Sequence, residues 1–165
     1  MYAAHIRCSF SRCRLEMNVA HAGKNCSLCN SRQSDPAWLD KSLAAFAADN
    51  ETFDVPSGAI LRGPDGYKRL ALFFVENFPD GRIELTNVFA TEDQVTLDCT
   101  LRWNDTDPLH LPPGALPIMR RSGELRYCFV YQIRNGKIVS VHSYYDMMTQ
   151  MDQLGLAPVM EQATE

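Results

Sequence analysis

The chain has 165 residues, of which 45% are hydrophobic and 22% charged, the proportions of one ordinary globular domain. Its 16 basic and 20 acidic side chains leave a formal charge of −4 with no Lys/Arg stripe, which excludes a nucleic-acid footprint and a polybasic membrane patch. No apolar run is long enough to span a bilayer, and the charged N-terminus lacks a stretch of signal-peptide length, so a soluble, cytoplasmic protein is expected.

Composition changes near Ser34. Residues 1–34 show no clean helical or strand period and hold Cys8, Cys13, Cys26 and Cys29, with His21 between the pairs. Zinc needs four such ligands within tetrahedral reach. The first pair is unusually spaced and few apolar residues surround the cysteines, so an irregular tail is the preferred reading over a zinc knuckle. No cofactor is expected. Cys99 and Cys128 lie in strand-like runs and read as small core residues.

Asp35-Pro36 is a helix opening, followed by Leu39, Leu43, Phe46 and Ala47 at one-face helical spacing. The segment "DNETFDVPSGAILRG" reads as a loop punctuated by Pro56 and Gly58. Pro64 opens a second helix with an apolar stripe of Tyr67, Leu70, Ala71, Phe74 and Phe78. Strands are predicted over 82–90 and 94–103, linked by Thr91-Glu92-Asp93. A proline-rich loop, 104–123, leads to a last hairpin, "ELRYCFVYQIR" and "KIVSVHSYYD", turned by Asn135-Gly136, the strongest local hairpin signal. A short helix from about Met147 ends at Gly155. Helices followed by an antiparallel sheet make an α+β domain over about 35–157, with 158–165 as a tail.

A two-residue turn fixes hairpin register. It sets Val130 opposite Val141, Cys128 opposite Ser143, and Arg126 opposite Tyr145 on one face. Tyr127, Phe129, Tyr131, Ile133, Ile138, His142 and Tyr144 share the other. Neither face looks water-facing, so helices are expected to cover one and a second copy of the chain, as a homodimer, the other.

The segment "GKIVSVHSYYDMMTQMDQLGL" resembles the C-terminal signature of SnoaL-like polyketide cyclases. "FDVPSGAILRGPDGYKRL", "NFPDGRIEL" and "WNDTDPL" resemble further motifs of that family in the right order. The resemblance implies the cone-shaped barrel of ketosteroid isomerase-like proteins: a curved antiparallel sheet wrapped around helices, with a pocket for a small polyketide- or steroid-like molecule. It implies acid–base cyclase or isomerase chemistry, with a non-catalytic binding module as the alternative. The family's catalytic Asp, three residues before the Asp of the strand-end motif, falls here on Ser143, whose hydroxyl is a poor general base. The family's loop His is replaced by Asp105, and its first helix has no clear counterpart before Asp35.

Three residues are therefore candidates for catalysis. Ser143 is expected to point into the pocket. Asp146, at the strand end, is either a pocket acid or base or, better, the cap of the closing helix. Asp98, with Arg102 on the polar face of its strand, is either a pocket pair like that of the epoxide hydrolases or a surface ion pair. His142 reads as packing on the aromatic face rather than as a proton shuttle. The pocket itself is expected to draw on Cys128, Val130, Val141, Tyr145, Trp38, Phe53, Phe74 and Trp103. Most of these aromatic rings are expected to be plain core, as helix-face aromatics normally are.

Overall fold

The computed structural model describes residue 30 and residues 34–104 and 122–155. The four N-terminal cysteines, His21 and Asp105 lie outside the described residues. The elements run α1 (Trp38–Leu43), β1 (Phe46–Asp54), β2 (Ala59–Arg62), α2 (Gly63–Asn77), β3 (Arg82–Ala90), β4 (Gln94–Asn104), β5 (Ser122–Arg134), β6 (Lys137–Tyr145) and α3 (Met147–Gln153). They form an α+β fold with one six-stranded sheet in the order β2-β1-β6-β5-β4-β3. All neighbours are antiparallel except β1 and β6, which run parallel.

The second half of the chain folds as its pattern dictates. Val95, Leu97, Cys99, Leu101 and Trp103 alternate inward along β4 and are all buried. Helix α2 starts at a proline in its first turn and buries Tyr67 and Ala71 from its stripe. Its C-cap residue Phe78 packs edge-on against Trp103, with ring centroids 5.2 Å apart. Asn135 and Gly136 take positive φ of 52° and 71°, the conformation a type I′ hairpin turn requires. Outside α2, the Asn30 amide holds the backbone of Ile83 at both its N–H (2.8 Å) and its carbonyl (2.6 Å).

Three expectations are corrected. The first helix stops at Leu43, and Phe46 and Ala47 open strand β1 instead. The segment read as a loop holds two strands, β1 and β2. Their apolar alternation is absent because the inward positions of β1 are Asn50, Thr52 and Asp54; the first two are buried, and the strand is held by backbone pairing on both edges.

The third correction concerns the hairpin register. Arg134 faces Lys137 as expected, but Ile133 pairs with Ile138 and Gln132 with Ser140, so Val139 is an extra residue, a β-bulge. Beyond it every partner moves by one. Ser143 opposes Phe129 rather than Cys128, and Tyr145 opposes Tyr127 rather than Arg126. Because side chains alternate with a period of two, Ser143 and Tyr145 now share the inner face with the aromatic ladder of β5. His142 and Tyr144 turn to the outer face with Val130 and Cys128.

Gly123 pairs with Trp103 across β4 and β5, and the indole ring lies over it so closely that an added Cβ would come within 2.1 Å of a ring carbon. A Gly123→Ala substitution is expected to destabilise the fold by about 1–3 kcal/mol through overpacking, measured by urea unfolding.

Candidate functional site

The inner face of the sheet and helix α2 enclose a cavity of about 480 Å³. Helix α2 supplies Leu70, Phe73 and Phe74, the sheet supplies Ile83, Leu101 and Phe129, and Met151 and Leu154 on and just after α3 close one end. Among the described residues that line it, one side chain carries a formal charge, Asp54.

Asp54 ends β1, and the parallel pairing of β1 with β6 makes Ser143 its register partner. Partnered residues on neighbouring strands about 4.8 Å apart project to the same side, so the two short side chains meet. The Ser143 hydroxyl donates to Asp54 Oδ1 at 3.0 Å, and lies 3.3 Å from the Phe53 carbonyl. Two residues on, along the same face of β6, the Tyr145 hydroxyl donates to Asp54 Oδ2 at 3.1 Å. Ser57, in the turn after β1, donates to the same oxygen. The peptide link is tied as well, by the Val55 N–H to the Ser143 carbonyl at 3.1 Å.

Next to this cluster stands Tyr127, its ring centroid 4.6 Å from that of Tyr145. Its hydroxyl accepts from the Gln150 amide at 3.4 Å. Burial, then the neighbouring Tyr145 and Asp54, hold the Tyr127 phenol far above its ordinary value. Burial and the Asp54 carboxylate do the same to Tyr145. Both rings therefore remain protonated and present O–H donors throughout the physiological range. The polar end of the cavity thus combines a carboxylate acceptor with phenol donors, and the remainder is apolar.

The sequence-derived candidates divide by position. Ser143, Tyr145 and Phe74 line the cavity. Val141, Trp38 and Trp103 are buried in the core and do not line it. Phe53 packs against His142 on the outer face, ring centroids 4.5 Å apart and tilted by 35°; that face also holds Cys128 and Val130. Asp98 accepts from Asn87 at 3.2 Å, and its register partners are Cys128 and Asn87. Arg102 pairs with Glu84 and Glu124 rather than with Asp98. Asp146 caps α3, accepting from the Met148 and Thr149 N–H groups at 2.9 and 3.2 Å and from the Thr149 hydroxyl at 2.6 Å. The Thr149 hydroxyl and these N–H groups hold its carboxyl below the usual carboxylate value.

Sequence reasoning missed Asp54, Ser57 and Tyr127 as site residues. The signal that could have found Asp54 is the run Asn50, Thr52, Asp54, a period of two written in polar residues. No group of three or more His, Cys, Asp or Glu residues suited to a metal ion occurs among the described residues, and no described helix is long and apolar enough to cross a membrane.

Comparison with known proteins agrees with this geometry. The family model for SnoaL-like polyketide cyclase matches residues 31–154. Among solved structures the chain is similar to a protein of Jannaschia sp. CCS1 named a SnoaL-like polyketide cyclase, at 14% identity and a TM-score of 0.73 over 87% of this chain and 95% of that one. It is similar to AclR of Streptomyces galilaeus, named a hydroxylase, at 17% identity and 0.67 over 89% of each chain. A Catenulispora acidiphila protein with a ketosteroid isomerase-like fold, in complex with trimethylamine, aligns at 16% identity and 0.60 over 80% of this chain and 92% of that one. No curated protein matches. At these identities the structural likenesses establish the fold alone.

A pure cap at Asp146 makes a distinct prediction. Asp146→Ala should lower the melting temperature by about 2–4 °C, whereas Asp146→Asn, which keeps an oxygen acceptor, should lower it by less, and ligand affinity should be unchanged in both. Because the folded carboxyl is held low, its contribution is present above the ordinary carboxylate value and is lost as pH falls through the depressed one. The Asp146→Ala penalty, read by calorimetry, should therefore shrink in acid.

Proposed function

Because the chain belongs to the SnoaL-like polyketide cyclase family, we propose that it binds a small hydrophobic molecule of polyketide or steroid type and acts on it by acid–base proton transfer, as a cyclase or isomerase. The observation that carries this reading is the cavity itself: an apolar chamber of about 480 Å³ with one carboxylate and phenol donors gathered at one end. That volume suits a compact ring system of drug-like size. The polar end suits a carbonyl with an acidic C–H beside it, since such a group needs one acceptor and one donor close together.

A second reading, a carrier without turnover, is favoured by Ser143 at the place where the family has its catalytic Asp. The two part on one measurement. A neutral fused-ring ketone such as β-tetralone should bind saturably by calorimetry. It should also exchange its α-protons in heavy water, followed by proton NMR, at a rate proportional to enzyme concentration. Binding without exchange would select the carrier, and absence of binding would remove the small-molecule reading.

We also propose a homodimer through the outer face of the sheet. Phe89 (64% exposed) and Tyr144 (43%) on the strands support it, because a lone subunit would leave these large apolar groups in water. Sedimentation should give twice the chain mass at micromolar concentration, and a monomer would discard this reading.

A further inference from the structure

Resting on the small-molecule reading above, and building on its second form, the carrier, we propose that the cavity selects its ligand by charge. It takes a hydrophobic amine in its protonated form, with Asp54 as counter-ion at the polar end and the apolar walls around the hydrocarbon skeleton.

The first support is the charge of the lining. Among the described lining residues Asp54 alone carries a formal charge, and none is Lys, Arg or His. Its partners are all neutral. The Ser143, Tyr145 and Ser57 hydroxyls donate to it, which orients the carboxylate but leaves its net charge unanswered. The nearby phenols cannot supply the missing charge, since a phenol is either neutral or negative. Exposed carboxylates elsewhere are treated differently: Glu84 and Glu124 share Arg102, and Glu51 meets Arg62. Asp54, beside apolar walls, meets no basic side chain among the described residues.

A ligand that fills the cavity takes the place of water around this carboxylate. Removing water from an anion costs free energy unless an opposite charge or hydrogen bonds replace it. A neutral skeleton leaves that cost standing, and an anionic ligand adds repulsion that an apolar chamber screens poorly. An ammonium group answers it, because it brings a positive charge and an N–H donor together.

The bonding geometry leaves a place for that N–H. A carboxylate offers about four acceptor sites over its two oxygens. Oδ2 receives Tyr145 and Ser57, whereas Oδ1 receives Ser143 alone, so a site on Oδ1 is open. The walls beside it are aromatic. The Tyr127 ring lies 4.6 Å from that of Tyr145, Phe129 lies 5.6 Å from Tyr127, and Phe74 lies 6.5 Å from Tyr127. Aromatic rings are better neighbours for an organic cation than aliphatic groups of similar size. The other carboxylates weighed above lack this setting: Asp146 is committed to its helix, and Asp98 lies on the outer face beside Asn87.

The test is a charge series on one skeleton, each compound titrated separately into the full chain by calorimetry at neutral pH. The cation is 2-aminotetralin, the neutral forms are β-tetralone and 2-tetralol, and the anion is tetralin-2-carboxylate. An alkylammonium keeps its proton at that pH. The amine should bind about tenfold or more tightly than either neutral compound, and the anion most weakly. Asp54→Asn keeps the side chain's shape but removes its charge, and should bring the amine to within about threefold of the alcohol. Equal affinities for amine and alcohol in the wild type overturn the proposal, as does a full amine preference in a folded Asp54→Asn variant; both leave the small-molecule reading standing. The wild-type series decides the matter even if the variant does not fold. Binding of none of the four compounds removes the small-molecule reading and the charge selection with it.

Discussion

The parallel pairing of β1 with β6 is the constraint on which the rest of the site depends. Among the described strands it is the one parallel contact, and it brings a segment from early in the chain beside β6. Without it Asp54 and Ser57 would belong to a surface connection, and Ser143 would lose both its acceptors, the Asp54 carboxylate and the Phe53 carbonyl. With it, one carboxylate collects three hydroxyl donors, two from β6 and one from the turn after β1. The same pairing ties the entry to β2 to the strand that leads into α3, so the polar end of the cavity and its closing helix share one frame.

What was legible in the sequence follows the hydrophobic pattern closely. Strand β4 alternates without exception, α2 carries an apolar stripe, and Asn135-Gly136 has little choice but a tight hairpin. Strand β1 was illegible for the opposite reason. Its inward positions Asn50 and Thr52 are buried yet polar, so period-two hydrophobicity, the signal a reader looks for, is missing. The stability of such a strand comes from backbone bonding to two neighbours rather than from its own side chains, and backbone bonding leaves no mark on composition. The residue that reorganises the reading of the site sits at the end of the one strand whose pattern is polar.

Val139 shows how a single residue can invert a reasoned inference. The Asn135-Gly136 turn and its first pair, Arg134 with Lys137, follow from the sequence, but a bulge adds one residue to β6 after two positions. The junction of α1 and β1 holds the strand at that point: the Ile138 N–H bonds the Ala45 carbonyl at 2.8 Å, and Lys137 reaches the Ala44 carbonyl at 2.5 Å. Nothing in "KIVSVHSYYD" announces the bulge, because Val139 would suit a strand position on either face. Its effect is chemical as well as topological. Ser143 and Tyr145 are turned toward Tyr127 and Phe129, whereas an unbroken ladder would have given them Cys128 and Arg126.

A carboxylate on β1 and a hydroxyl on β6 form a self-consistent pair, and the alternatives do not. Two carboxylates at positions 54 and 143 would lie about as close as the 3.0 Å Ser–Asp contact, and at such separations both cannot stay ionised, so one would be neutralised and lost as a base. Two hydroxyls would leave the pocket with no proton acceptor. On this argument Ser143 is less the loss of a catalytic group than the companion that Asp54 requires: small enough to admit the neighbouring carboxylate, and protic enough to hold it still.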